Sequence, residues 1–310
     1  MTRRVRGFTL IELVVATAVA GVVGAGVIST LVRQQRFYGA AGGMLSVRAQ
    51  LRDAADVLAS DIRSAAVASY GLPLMADSAI EMVTSVASSV LCNAPSGVTL
   101  GLPPATLSNG NTLTSILAQP DAGDIVMMYG IPSTAGDTAR WEASAVVSFV
   151  SRPVATVCPA TTGFTTTADA AALRAGYSVT VAWPPSPAVR KGAPIRFLRR
   201  VRYSLYRSAD SRWYLGYRKC GMSIPSTCAG VQPVSGPYDS YSPGVGSGLT
   251  FRYYDAAGSE VPAASTGKSV ARVEIVLRGA SAGQVMLAGD SRRLFTDSTI
   301  VAVSPRNRRR

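Results

Sequence analysis

Glu12 is the first residue that demands a chemical explanation. It stands in GFTLIEL (Gly7 to Leu13), five residues into an apolar run. A carboxylate held in lipid costs about 2.5–3.5 kcal/mol on insertion scales, so it needs either a partner or a function. A second set of reactive side chains is the four cysteines, Cys92, Cys158, Cys220 and Cys228, none of them in C-x-x-C spacing. That spacing argues against a zinc ribbon or a thioredoxin-like dithiol. An even count suits disulfides in an oxidising compartment. Cys220–Cys228 is the favoured pair, closing a loop rich in turn residues, and Cys92–Cys158 follows by elimination.

The third set is cationic. Between Arg190 and Lys219, ten basic residues accompany a single acid, Asp210. Arg199, Arg200, Arg202 and Arg207 are the candidate nucleic-acid contacts, interleaved with Phe197, Tyr203, Tyr206, Trp213, Tyr214 and Tyr217. Arginines with aromatics suit single strands, by phosphate pairing and base stacking. The competing reading makes the aromatics core and the arginines a solvated face. Strand alternation favours it for Tyr203 and Trp213.

Other chemistry is poorly provided for. The chain has no histidine, which removes Ser-His-Asp and Cys-His catalysis and the commonest zinc and iron sites. Asp121, Asp124, Asp239 and Asp255 are acids in expected loops, but no 12-residue calcium-loop pattern surrounds them. The stretch GVGSG at 244–248 lacks the Lys-Ser/Thr of a phosphate cradle. We expect no metal, no cofactor and no enzyme activity. The net charge of +13 and pI near 10.1 favour anionic partners such as nucleic acid or lipid headgroups.

The elements that position these residues follow from periodicity. Residues 8–32 carry one charge in 25 positions. As a helix they would span roughly 37 Å, enough for a bilayer core. Arg3, Arg4 and Arg6 precede this span, so the N-terminus is expected to stay cytoplasmic and the bulk to be exported. The span runs straight into Arg33, Gln34, Gln35 and Arg36 with no small-residue cleavage site, unlike a secretory signal peptide. Gly21, Gly24 and Gly26 serve close helix packing or local unwinding, or are plain lipid-facing filler.

From Met44 the apolar residues Val47, Leu51, Ala55, Leu58, Ile62 and Ala65 recur at steps of three and four, an amphipathic helix. Gly39, Gly42 and Gly43 are expected to bend it, and Gly71 with Pro73 to end it. Beyond residue 72 short strands alternate with turns, among them 123–130, 144–154, 177–183, 249–261, 269–281 and 298–307. Residues 195–219 are expected to form a hairpin. Two Ser-, Thr-, Ala- and Gly-rich stretches, 84–120 and 155–175, are expected to be surface insertions. The expected fold class is α+β, a long helix on a mainly antiparallel sheet in one globular domain.

The basic leader, Gly7, Phe8 and T-L-I-E-L together resemble the class III signal of type IV prepilins and type II secretion pseudopilins. The resemblance implies a pilin-like fold and cleavage between Gly7 and Phe8 by a prepilin peptidase, which also N-methylates Phe8. It further implies that Glu12 meets the positively charged terminus of a neighbouring subunit, making Phe8 and Glu12 assembly residues. The implied layout is a cleaved leader over 1–7, a transmembrane and assembly helix over 8–32, a stalk helix over 33–70 and a periplasmic globular domain over 71–310.

The strands G-D-I-V-M-M-Y, V-R-Y-S-L, F-R-Y-Y-D-A-A-G and V-E-I-V-L-R are similar in order to those of PilW-like minor pilins and J-type minor pseudopilins. That similarity implies a minor subunit near a filament tip, with other pilin or pseudopilin subunits, an inner-membrane assembly platform and membrane lipid as partners. A DNA-binding minor pilin of an uptake pilus, or a membrane-anchored periplasmic binding protein, is the alternative.

Overall fold

A computed structural model describes residues 9–131, 139–222, 227–243, 246–262, 269–286 and 292–306. Helix α1 spans Leu10–Ser64 without interruption. Gly39, Gly42 and Gly43 stay helical within it. A Cβ on Gly43 would lie 2.8 Å from Val285 Cγ1, so this glycine admits a close neighbour. The helix ends earlier than expected. Ala65 turns extended, and the Ala66 amide donates to the Val83 carbonyl, so sheet pairing captures the chain. A single turn, α2 (Val67–Tyr70), follows and stops at Gly71, whose φ of 67 suits glycine.

The strands in chain order are β1 (Leu74–Met75), β2 (Ala79–Val90), β3 (Thr99–Leu102), β4 (Ser115–Ile116), β5 (Ile125–Gly130) and β6 (Arg140–Pro153). The short helices α3 (Val154–Val157) and α4 (Thr167–Ala171) come next. Then follow β7 (Ala175–Val181), β8 (Pro194–Arg207), β9 (Trp213–Cys220), β10 (Gln232–Tyr238), β11 (Leu249–Tyr254), β12 (Arg272–Met286) and β13 (Arg292–Val303). All pairings among them are antiparallel, in the order β11-β12-β10-β9-β8-β5-β6-β7-β3. Strand β13 adds to β12, and β2 adds to β8 while carrying β1 and β4. This is the expected α+β, pilin-like layout.

Strand β8 is the hub. Its Arg200–Arg207 half pairs with β9 and its Ile195–Leu198 half with β5, while β2 runs along it from Pro194 to Ser204. Two cores result. In the first, Val47, Leu51, Leu58 and Ile62 of α1 pack on Ile80, Met82, Val201, Leu215, Ile275 and Leu277. The second lies away from the helix and joins Leu91, Leu100, Val126, Val146, Val179 and Phe197.

The stretch 84–120 is not a surface insertion throughout. Its first residues belong to β2, a central strand with Val83, Val86 and Ala87 buried. Covered on both faces, this strand has no polar-apolar alternation, and its Ser, Thr and Ala content resembles a loop. The rest of that stretch and the 155–175 stretch pack on each other. Cys92–Cys158 links them, with a Cα–Cα distance of 5.4 Å. The buried Asp169 carboxylate accepts the amide and hydroxyl of Ser108 at 2.6 and 2.8 Å, and those of Thr166 at 2.7 and 2.8 Å. Burial opposes its ionisation, but these four bonds prevail and hold its pKa well below the usual carboxylate range.

Candidate functional site

The local reason for a carboxylate at Glu12 lies three residues earlier. Thr9 is the N-cap of α1, and Glu12 is the third residue of the helix. Glu12 Oε2 accepts both the Thr9 amide and the Thr9 hydroxyl at 2.9 Å, while the Glu12 amide donates to Thr9 Oγ1 at 3.3 Å. This is a reciprocal capping box, and it places the negative charge at the positive end of the helix dipole. T-x-x-E spells that box in the sequence, a signal our sequence reading passed over. Both side-chain bonds fall on Oε2; among the described residues Oε1 takes none.

From Glu12 onward the helix surface is apolar and uncovered. Every residue from Thr9 to Gly39 is exposed except the half-buried Gly24. Leu10 is 84% exposed and Val22 76%, fractions normal for a side chain with no tertiary neighbour. An 18-residue window here reaches a mean hydropathy of 2.2 and has no buried residue. The Thr17 and Thr30 hydroxyls are turned inward: Thr17 donates to the Leu13 and Val14 carbonyls and Thr30 to the Gly26 carbonyl. Neither of these hydroxyls needs water, which leaves Ser29 as the remaining polar side chain between Leu13 and Val32. A core helix of a soluble protein would be mostly covered, so this surface calls for lipid or other chains.

A family profile described as the prokaryotic N-terminal methylation motif matches residues 2–28. The chain carries a prepilin methylation motif. The match supports the type IV pilin and pseudopilin class, with processing by prepilin peptidase, membrane anchoring and assembly with other pilin subunits. Comparison with curated proteins and with solved structures gives no match. Gly7 and Phe8, where the cut is expected, lie outside the described residues.

Both cysteine pairs form as expected, Cys92–Cys158 and Cys220–Cys228. The arginine face is different from either sequence reading. Arg199 is buried, and its guanidinium meets Asp124 at 2.7 Å, Asp121 at 3.1 Å and the Gln119 carbonyl at 2.8 Å. Lys219 completes this group at 3.3 Å from Asp121 and 3.5 Å from Asp124. On β2 the fully buried Glu81 pairs with Arg200 and with Arg202, the latter at 2.6 Å. Arg199 and Arg200 are therefore internal, neither a phosphate-facing surface nor a solvated one. Arg202 is committed to the same carboxylate as Arg200. Arg207 alone of the four candidates is exposed, its Nε donating to the Ser211 carbonyl at 3.4 Å.

The aromatics of the hairpin serve packing. Tyr203 meets Tyr217 edge-on at 5.5 Å, and its hydroxyl donates to Asp61 of α1 at 2.6 Å. The Tyr238 hydroxyl donates to the Gln50 carbonyl at 3.2 Å. These tyrosines latch the lower half of the helix to the sheet. Burial raises the Asp61 pKa, and the Tyr203 hydrogen bond offsets part of that rise. Among the expected loop acids, Asp121 and Asp124 come together around Arg199, whereas Asp255 accepts the Ala257 and Ser259 amides in a turn of its own.

Proposed function

We propose that this chain is a minor pilin or minor pseudopilin: a structural, non-enzymatic subunit cut after Gly7, methylated on Phe8 and assembled through α1, at or near a filament tip. The observation that carries this reading is the exposed apolar half of α1 headed by Glu12. Arg3, Arg4 and Arg6 favour a cytoplasmic N-terminus, leaving the sheet domain in the periplasm before assembly. Two disulfides suit that oxidising location.

The capping box sharpens the role of the acid. Thr9 supplies two neutral donors to one carboxylate oxygen, but no cation. Moving that charge into an apolar bundle remains unfavourable until an ammonium arrives, and the methylated amine of a neighbouring Phe8 can supply one.

Two substitutions separate the roles. Glu12→Gln keeps a good capping residue and removes the charge, while Glu12→Leu removes both. Expressed in cells lacking any other copy, both variants should be cleaved yet absent from sheared filaments. If Glu12→Gln assembled like the native chain, the cap would be the whole function of this acid and the intersubunit charge pairing would be wrong.

A further inference from the structure

A cleft of about 590 Å³ opens where α1 ends, within the range of small-ligand sites. Six segments line it: Arg63 and Ser64 at the end of α1 with Ala66 and Ser69 just beyond, Ser85 and Ser88 of β2, Met127 of β5, Trp141 of β6, Arg196 and Leu198 of β8, and Arg306. Three guanidiniums and four serines share this space, and among the described residues no carboxylate lines it. The contrast with Arg199, Arg200 and Arg202 is direct, since each of those has an acid within salt-bridge reach.

The fold brings the cations together deliberately. The Arg306 amide donates to the Arg63 carbonyl at 3.1 Å, which ties the C-terminal segment to the helix end. Ser88, Arg196 and Met127 are direct cross-strand partners on β2, β8 and β5. The Arg196 guanidinium lies 5.1 Å over the Trp141 ring, and Tyr129 braces that ring from 5.2 Å. A helix C-terminus carries about half a negative charge. That can offset part of one guanidinium, not three. The sequence then continues from Arg306 with Arg308, Arg309 and Arg310.

We propose that this cleft binds a phosphate group. Planar guanidinium forks match phosphate oxygens, and hydroxyl donors complete the shell. Bilayer headgroups are too far to be its source: Arg63 lies 31 residues beyond Val32 along an unbroken helix, roughly 46 Å. The phosphate therefore belongs to a solute or to a nucleic-acid strand on the side of the domain remote from the membrane. This site is independent of the filament reading.

The test is calorimetric titration of the full chain in detergent micelles with inorganic phosphate and with oligothymidylate. Saturable binding is expected, weakened at least tenfold by Arg196→Ala and by Arg306→Ala, the latter an exposed side chain whose residue is tied to the helix end through its backbone amide. Arg152→Ala, an exposed arginine near the far end of β6, should leave affinity unchanged. Oligothymidylate binding at least tenfold tighter than phosphate makes a strand the source; equal affinities make it a solute, and both uphold the site. Absence of saturable binding, or equal weakening by Arg152→Ala, overturns it.

Discussion

The two halves of α1 belong to one unbroken helix yet solve opposite problems. Between Ala40 and Ile62 the buried face is Val47, Leu51, Ala54, Leu58 and Ile62, closed by the sheet of the same chain. Between Leu10 and Val32 equally apolar residues stand uncovered by the described residues of their own chain. Each half carries a notable acid. Asp61 is buried and receives a tyrosine hydroxyl from β8, whereas Glu12 is held by its own N-cap. Intramolecular packing stabilises the first half; the second is left for lipid and neighbouring subunits. One half is therefore a folding element and the other an assembly element.

The most severe way to break this distinction is to place a charge in each half. Leu58→Arg buries an unpaired cation in the first core and should abolish the folded domain, seen as loss of protease resistance. Val19→Arg should leave the domain folded while blocking membrane integration and filament incorporation, scored by fractionation. A milder pair follows. Leu58→Ala should cost about 3 kcal/mol in denaturant unfolding, and Val22→Ala should not move the midpoint.

Glycines sharpen the contrast further. A Cβ on Gly279 would sit 3.0 Å from Val47 and 3.3 Å from Leu51, so Gly279→Ala should cost about 1 kcal/mol by pushing helix from sheet. Gly24 has nothing within 4 Å of such a Cβ. Gly24→Ala should leave domain unfolding unchanged, and a defect confined to filament yield would locate its role between subunits.

The smallest effect concerns the two acids. The folded pKa of Asp61 is raised, so its ionised form opposes folding. That penalty is absent below the ordinary pKa of 3.8 and grows as pH rises through the folded value. Asp61→Asn keeps an acceptor for Tyr203 and should raise Tm at pH 7, with the gain vanishing in acid. Glu12→Gln should leave Tm unchanged at either pH.

How far these features could be read from sequence depends on the distance over which they are determined. The apolar span, the stripe from Val47 to Ile62, the hairpin of β8 and β9 and the turn-closing Cys220–Cys228 pair are local patterns, and all appear as expected. The partners of the arginines are not local. Asp124 lies 75 residues before Arg199, and Glu81 lies 119 before Arg200. A count of charges along the hairpin could not reveal that those acids neutralise it from other strands. Strand β2 escaped for a related reason, since its Ser- and Ala-rich composition becomes a strand through β8, more than 100 residues later. The Thr9–Glu12 box was legible and required only attention to the residue before the helix.

The most direct measurement of the central claim is the mass of the mature N-terminus in protein recovered from membranes or filaments. The account predicts a chain that begins at Phe8 and carries one added methyl group on its amine. An intact Met1, or cleavage past residue 30, would contradict it, because the exposed half of α1 would then be an unprocessed anchor or a discarded signal instead of an assembly helix.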